Sequence, residues 1–119
     1  MEIKIAVAST DGKVVNQHFG RADKFYIFVA DSEKRTFHYE GERLAVPICQ
    51  SGNHDEYAMI QAVNNLLDCT YVLVSQIGLL ARNECEKQGI LVFEIPDEIE
   101  KAIVKLLKYE EIQRMIAGM

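Results

Sequence analysis

No apolar run in this chain approaches the roughly 20 residues that a membrane-spanning helix needs. Basic residues are also short, with 13 Lys and Arg against 18 Asp and Glu, for a net charge of −5. A nucleic-acid binder normally carries a basic face, and anionic membranes attract basic segments. Neither partner is expected. Cysteine is scarce and odd in number: Cys49, Cys69 and Cys85. The opening MEIKIAVAST is a strand pattern with an early acid, not a basic region leading into a long apolar one. We therefore expect no signal peptide and a cytoplasmic protein, in which free thiols or a metal site are better expectations than a disulfide framework.

The catalytic signatures are missing too. There is no GxxxxGK[ST] and no GxGxxG to cradle phosphates. Ser9, Ser51 and Ser75 stand in no elbow motif and have no evident base partner. A two-metal nuclease needs carboxylates on its first strand, whereas IKIAVAST has none and Asp11 arrives only in the loop that follows. No CxxC pair marks a strong zinc site. The sequence points away from an enzyme.

What is present is one soluble globular domain of 119 residues, 49% apolar and 26% charged. It is long enough to bury roughly two-thirds of its unfolded surface. IKIAVAS (3–9) reads as a buried strand, KFYIFVAD (24–31) as a second and RTFHYEGERLA (35–45) as a third. In the third, Phe37 and Tyr39 share one face and His38 and Glu40 the other. The short turn SEK makes the second and third strands an antiparallel hairpin. Beyond it, Tyr57, Ile60, Val63 or Asn64, and Leu67 recur at helical spacing, with Asn53 and Glu56 as a capping pair. TYVLVS (70–75) is a strand, GLLARNECEKQG (78–89) a helix closed by Gly89, and ILVFEI (90–95) a strand ended by Pro96. A last helix, over 97–116, opens on the capping pair Asp97 and Glu100 and buries Ile99, Ile103, Leu106 and Leu107. Its period falters at KYEE (108–111), so a kink or a frayed end is expected.

A right-handed crossover makes the last two strands parallel. The simplest compact answer is a three-layer, ribonuclease-H-like α/β fold: a mixed five-stranded sheet of order 3-2-1-4-5 with helices on both faces. In it the loops at 10–23, 46–53 and 75–78 leave at one edge, the carboxyl edge where open α/β sheets bind ligands. His18, Cys49 and His54 lie on two of these loops. A thiol and an imidazole five residues apart, facing another His, suit a soft or borderline metal. Helix N-termini near Asn53 and Gly78 supply backbone donors there, and Arg21, with Lys13 and Lys24 nearby, adds positive charge for an anion. Each group also has a plainer role, His18 as a surface residue and Cys49 as a small apolar one. Phe19 is expected to plug the loop onto the core and Gly20 to take a positive φ. Cys69 and Cys85 are expected in the core, and His38 at the surface.

The segments IAVASTDGKVVNQHFGRADKFYIF, CQSGNHDE, LLDCTYVLVSQIG and GILVFEIP, spanning about residues 3–108, closely resemble the dinitrogenase iron–molybdenum cofactor biosynthesis family. That family includes NifX-type carriers and the C-terminal domain of NifB. The resemblance implies a ribonuclease-H-like fold without nuclease activity, and a single cofactor-carrier domain over 1–119. Its implied work is to bind an iron–sulfur cluster or iron–molybdenum cofactor precursor and pass it between donor and acceptor assembly proteins. It marks His18 as the foremost cluster ligand, with Cys49 and His54 beside it; Asn16 and Arg21, on the same loop as His18, are expected to complete the cofactor site. The CxxxCxxC motif of the radical domain of NifB is absent. A second function stays open: a regulatory or interaction domain that binds a simple metal or small anion at the same edge, with no role in nitrogenase assembly.

Overall fold

The computed structural model describes residues 1–47 and 56–118. Its elements are β1 (Glu2–Ala8), β2 (Lys24–Asp31), β3 (Thr36–Leu44), α1 (Glu56–Asn64), β4 (Tyr71–Val74), α2 (Leu79–Lys87), β5 (Leu91–Glu94) and α3 (Ile99–Ala117). The sheet order is β3-β2-β1-β4-β5, as expected. β1 runs antiparallel to β2 and parallel to β4, β2 antiparallel to β3, and β4 parallel to β5.

Alternation along the central strands divides the core in two. Ile3, Ile5 and Val7 of β1, with Tyr71 and Leu73 of β4, meet Ile99, Ala102, Ile103, Leu106 and Leu107 of α3 on one face. Ala6 and Ala8, with Val72 and Val74, meet Val63, Leu66 and Cys85 from the α1 and α2 side on the other. Because β4 and the second half of β1 are covered on both faces, YVLV and IAVA read as unbroken apolar runs, while Glu2 and Lys4 stand at the start of β1. The arrangement is a three-layer α/β sandwich. Phe37 and Tyr39 of β3 both lie against Phe28, at 6.4 and 5.6 Å between ring centres. His38 is exposed, and Cys69 and Cys85 are buried.

Four local details differ from the sequence-based expectation. The inward stripe of α1 is Met59, Ala62, Val63 and, just beyond the helix, Leu66, while Tyr57, Ile60 and Leu67 face outward. Apolar residues in this segment cover more than one face, so periodicity alone could not choose, and the small Ala58 and Ala62 let this side approach the sheet. Asn53 of the expected cap lies outside the described residues. At the start of α3, Asp97 and Glu100 do not form a capping box. Glu98 is the N-cap without a side-chain bond, and the Ile99 N–H donates instead to the Lys13 carbonyl at 2.8 Å. The loop after β1 thus supplies an acceptor for the first orphan N–H of the helix. Gly20 lies in a 3-10 turn (Phe19–Arg21), and the positive φ falls at Gly12, at 74°. Finally, α3 continues through 108–111 to Ala117. Tyr109 packs on Phe93 and Tyr71, the Tyr71 hydroxyl donates to Glu110, and Glu111 pairs with Arg35. Contacts with the sheet replace the amphipathic period that is lost there.

Candidate functional site

The loop from Ser9 to Asp23 is built from the strand outward. The buried Ser9 hydroxyl donates to Asp11 Oδ1 at 3.1 Å and accepts the Gly12 N–H at 3.0 Å. Asp11 Oδ1 in turn accepts the N–H groups of Lys13 (2.9 Å) and Val14 (3.2 Å). Those backbone donors, the Lys13 N–H foremost, hold the Asp11 carboxyl below its ordinary pKa. Asn16 spans the loop: its Oδ1 accepts the Thr10 N–H at 2.9 Å, and its Nδ2 donates to Thr10 Oγ1 at 2.8 Å. The Val15 N–H donates to the Asp97 carbonyl at 2.9 Å and ties the loop to the start of α3.

The next three residues join the turn after β4. The Ser75 N–H donates to the Gln17 carbonyl and the Phe19 N–H to the Gln76 carbonyl, both at 2.9 Å, so that His18 bridges Gln76 in parallel register. Phe19 is 2% exposed and lies 6.0 Å from Phe25, ring centre to ring centre. It plugs the loop onto the core as expected. His18 itself is exposed, between two residues whose backbones are fixed. Its imidazole has no hydrogen-bond partner among the described residues. The Arg21 side chain is exposed and makes no ion pair with any described residue, and the same holds for Lys13. Lys24 is engaged, 4.0 Å from Glu42 and 5.2 Å from the centre of the Tyr26 ring.

The edges converge as the topology requires. The loop after β1 and the turn after β4 are joined at His18 and Gln76, and the chain leaving β3 passes the same edge, where the Ala45 N–H donates to the Asp23 carbonyl at 2.8 Å. Cys49 and His54 lie outside the described residues. Among the described residues, no group of three or more His, Cys, Asp or Glu could hold a metal ion. Cys69 lies before β4, at the far edge, where burial pushes its thiol up to about 12, and burial raises Cys85 to about 11. Neither thiol is a ready thiolate.

Sequence reasoning missed two features here. The Gln17 Oε1 atom is buried and has no hydrogen-bond partner among the described residues. Glu94, the last residue of β5, accepts the Ile77 N–H through Oε2 at 3.0 Å, and its Oε1 lies 3.3 Å from Arg82 Nη2. The available signal for the second was an acid inside the otherwise apolar run ILVFEI.

The family profile described as dinitrogenase iron-molybdenum cofactor matches residues 1–109. The chain belongs to this family. It is 31% identical over 112 residues to the FeMo cofactor biosynthesis protein NifB of Chlorobaculum tepidum, covering 94% of this chain and 26% of that protein. NifB of Frankia alni is 32% identical over 116 residues, covering 87% of this chain and 21% of the relative. The chain thus spans about a quarter of the length of these curated relatives. The apo form of the orange protein from Desulfovibrio gigas shares the fold, with a TM-score of 0.55 at 23% identity, over 97% of this chain and 88% of that one. The dinitrogenase iron–molybdenum cofactor match takes in the whole sheet and the His18 loop and stops at Tyr109, so the last turns of α3 lie beyond it. No described helix is long and apolar enough to cross a membrane.

Proposed function

We propose that this domain is a non-enzymatic carrier, which binds an iron–sulfur or iron–molybdenum cluster precursor at the His18 rim and passes it between a donor and an acceptor protein of cofactor assembly. The observation that carries this reading is the exposed, unpartnered His18 imidazole on a backbone pinned at Gln17 and Phe19. A side chain so displayed has no hydrogen bond to a described residue to break on binding, and its supporting backbone is already ordered. Cluster iron accepts imidazole or thiolate ligands, and Cys49 and His54 are the proposed companions. Arg21 supplies a positive charge for an anionic cluster. Asn16, with its amide committed to Thr10, serves the site by keeping the loop in shape. Few ligands suit a carrier, because the cargo must leave as well as arrive. We read the sheet as ribonuclease-H-like, the 119 residues as a single carrier domain and the setting as cytoplasmic.

The free Arg21 and the α2 N-terminus, whose N-cap Gly78 has no side-chain acceptor, also support the second reading, a small-anion or simple-metal site in a regulatory domain. Anaerobic reconstitution with ferrous iron and sulfide separates the two. A carrier retains iron and sulfide together with a visible charge-transfer spectrum. His18→Ala should weaken that binding most, and Cys49→Ala should add to the loss. Wild-type protein that holds no more iron than His18→Ala would end the carrier reading.

A further inference from the structure

Resting on the reading of the His18 rim as the cargo site, we propose that Glu94 is the positioning residue for that rim. The His18 loop takes its final placement from the turn after β4. The bonds on either side of His18 run from Ser75 N–H to the Gln17 carbonyl and from Phe19 N–H to the Gln76 carbonyl. The definition of the rim therefore depends on residues 75–78 as well as on the Phe19 plug.

That short turn is held from β5. The Ile77 N–H donates to Glu94 Oε2 at 3.0 Å. Arg82, on the second turn of α2, fixes the carboxylate from the other side. Its Nη2 lies 3.3 Å from Glu94 Oε1, and its Nη1 donates to the Val92 carbonyl at 2.7 Å. One guanidinium thus spans α2 to β5, and one carboxylate spans β5 to the turn. Hydrogen bonds with a charged partner are shorter and stronger than neutral ones, and an anion beside the N-terminal end of α2 is favoured by the helix dipole. An exposed ion pair alone contributes little to stability. The consequence here is geometric: Gln76 is presented to the loop at one height. Neither Glu94 nor Arg82 need touch cargo for the site to depend on them.

Amide hydrogen exchange on the cargo-free protein tests this directly. In Glu94→Ala, the amides of Ile77, Phe19 and Ser75 should exchange about tenfold faster or more, while those of Ile5 and Leu73 in the central strands keep their rates. Iron uptake after anaerobic reconstitution should fall in the same variant. Glu94→Gln keeps an oxygen acceptor for Ile77 and should return exchange to within about threefold of wild type. A merely structural role would alter the central strands as well and would give no such rescue. Should Glu94→Ala fail to fold, Arg82→Met releases the carboxylate and carries the same readout. Unchanged exchange at Phe19 and Ser75 in a folded Glu94→Ala protein would overturn the proposal. The exchange arm needs no cargo, so its failure is distinct from the failure of the carrier reading, which is decided by iron retention in His18→Ala.

Discussion

Replacing Phe19 with alanine tests whether the loop that displays His18 is held by the core or only by its hydrogen bonds. The ring is 2% exposed and pairs with Phe25 at 6.0 Å, with 52° between planes. Truncation to alanine removes on the order of 100 Å² of buried apolar surface, or about 2.5 kcal/mol. The lost ring pair adds about 1 kcal/mol, which brings the total to about 3–4 kcal/mol, inside the usual range for Phe→Ala in a core. The low end is expected, because Phe19 comes from a loop that can settle partly into the void. Against a total stability of roughly 6–18 kcal/mol for a domain of this length, the variant should still fold. With a urea m-value of about 1.5–2 kcal/mol/M, the midpoint should fall by about 2 M at unchanged slope. Far-UV circular dichroism during urea titration measures it. A shift below about 0.5 M would mean that the ring contributes no core packing and that hydrogen bonds alone place the loop.

Two further perturbations follow from groups outside the rim. Asp68 is gripped by the Arg43 fork, at 2.6 and 2.5 Å, and by Lys4 at 3.3 Å, and the Arg43 contact foremost holds its carboxyl well below the ordinary 3.8. A depressed folded-state pKa stabilises above the unfolded value and loses that contribution as pH falls through the folded one. With 48% of the side chain exposed, screening limits the contribution to about 1 kcal/mol. The stability gap between wild type and Asp68→Asn should therefore be full at neutral pH and shrink as pH drops below 3.8, and parallel pH–stability curves for the two proteins would refute it. Cys69→Ala and Cys85→Ala should each cost on the order of 1 kcal/mol in urea unfolding and leave iron retention intact. Rapid native-state alkylation of either thiol near neutral pH would contradict their burial and raised pKa values.

Much of the architecture was legible because the central strands are buried on both faces. KFYIFVAD matches β2 residue for residue, and the parallel crossovers follow from the alternation of strand and helix after residue 56. The convergence of the loop after β1 with the turn after β4 was legible for the same reason, since strand direction alone dictates it. The helix faces were harder to assign. In α1 apolar residues surround the helix, and only the sheet decides that Met59 and Val63 turn inward while Tyr57 does not. The start of α3 misled because Asp97 and Glu100 have the spacing of a capping box, yet the Lys13 carbonyl takes the first N–H. The His18–Gln76 bridge leaves no period in either segment, since a single non-local pair involves one residue on each side. Glu94 was hidden for a related reason: its partners, the Ile77 amide and Arg82, reach it from separate parts of the chain. Of the proposed ligands, His18 stands at the expected edge, whereas Cys49 and His54 fall outside the described residues.

The His18–Gln76 bridge also has a consequence in time. The meander of β1, β2 and β3 rests on contacts between neighbouring stretches of chain, which close early and cheaply. The bridge waits for β4, which pairs with β1 only after the whole of the intervening segment has been traversed. During synthesis, a nascent chain that has not yet released Gln76 carries His18 on a loop without its Ser75 and Gln76 bonds. A half-made domain therefore lacks the bridge, and His18 takes the position described above only once β4 has paired with β1.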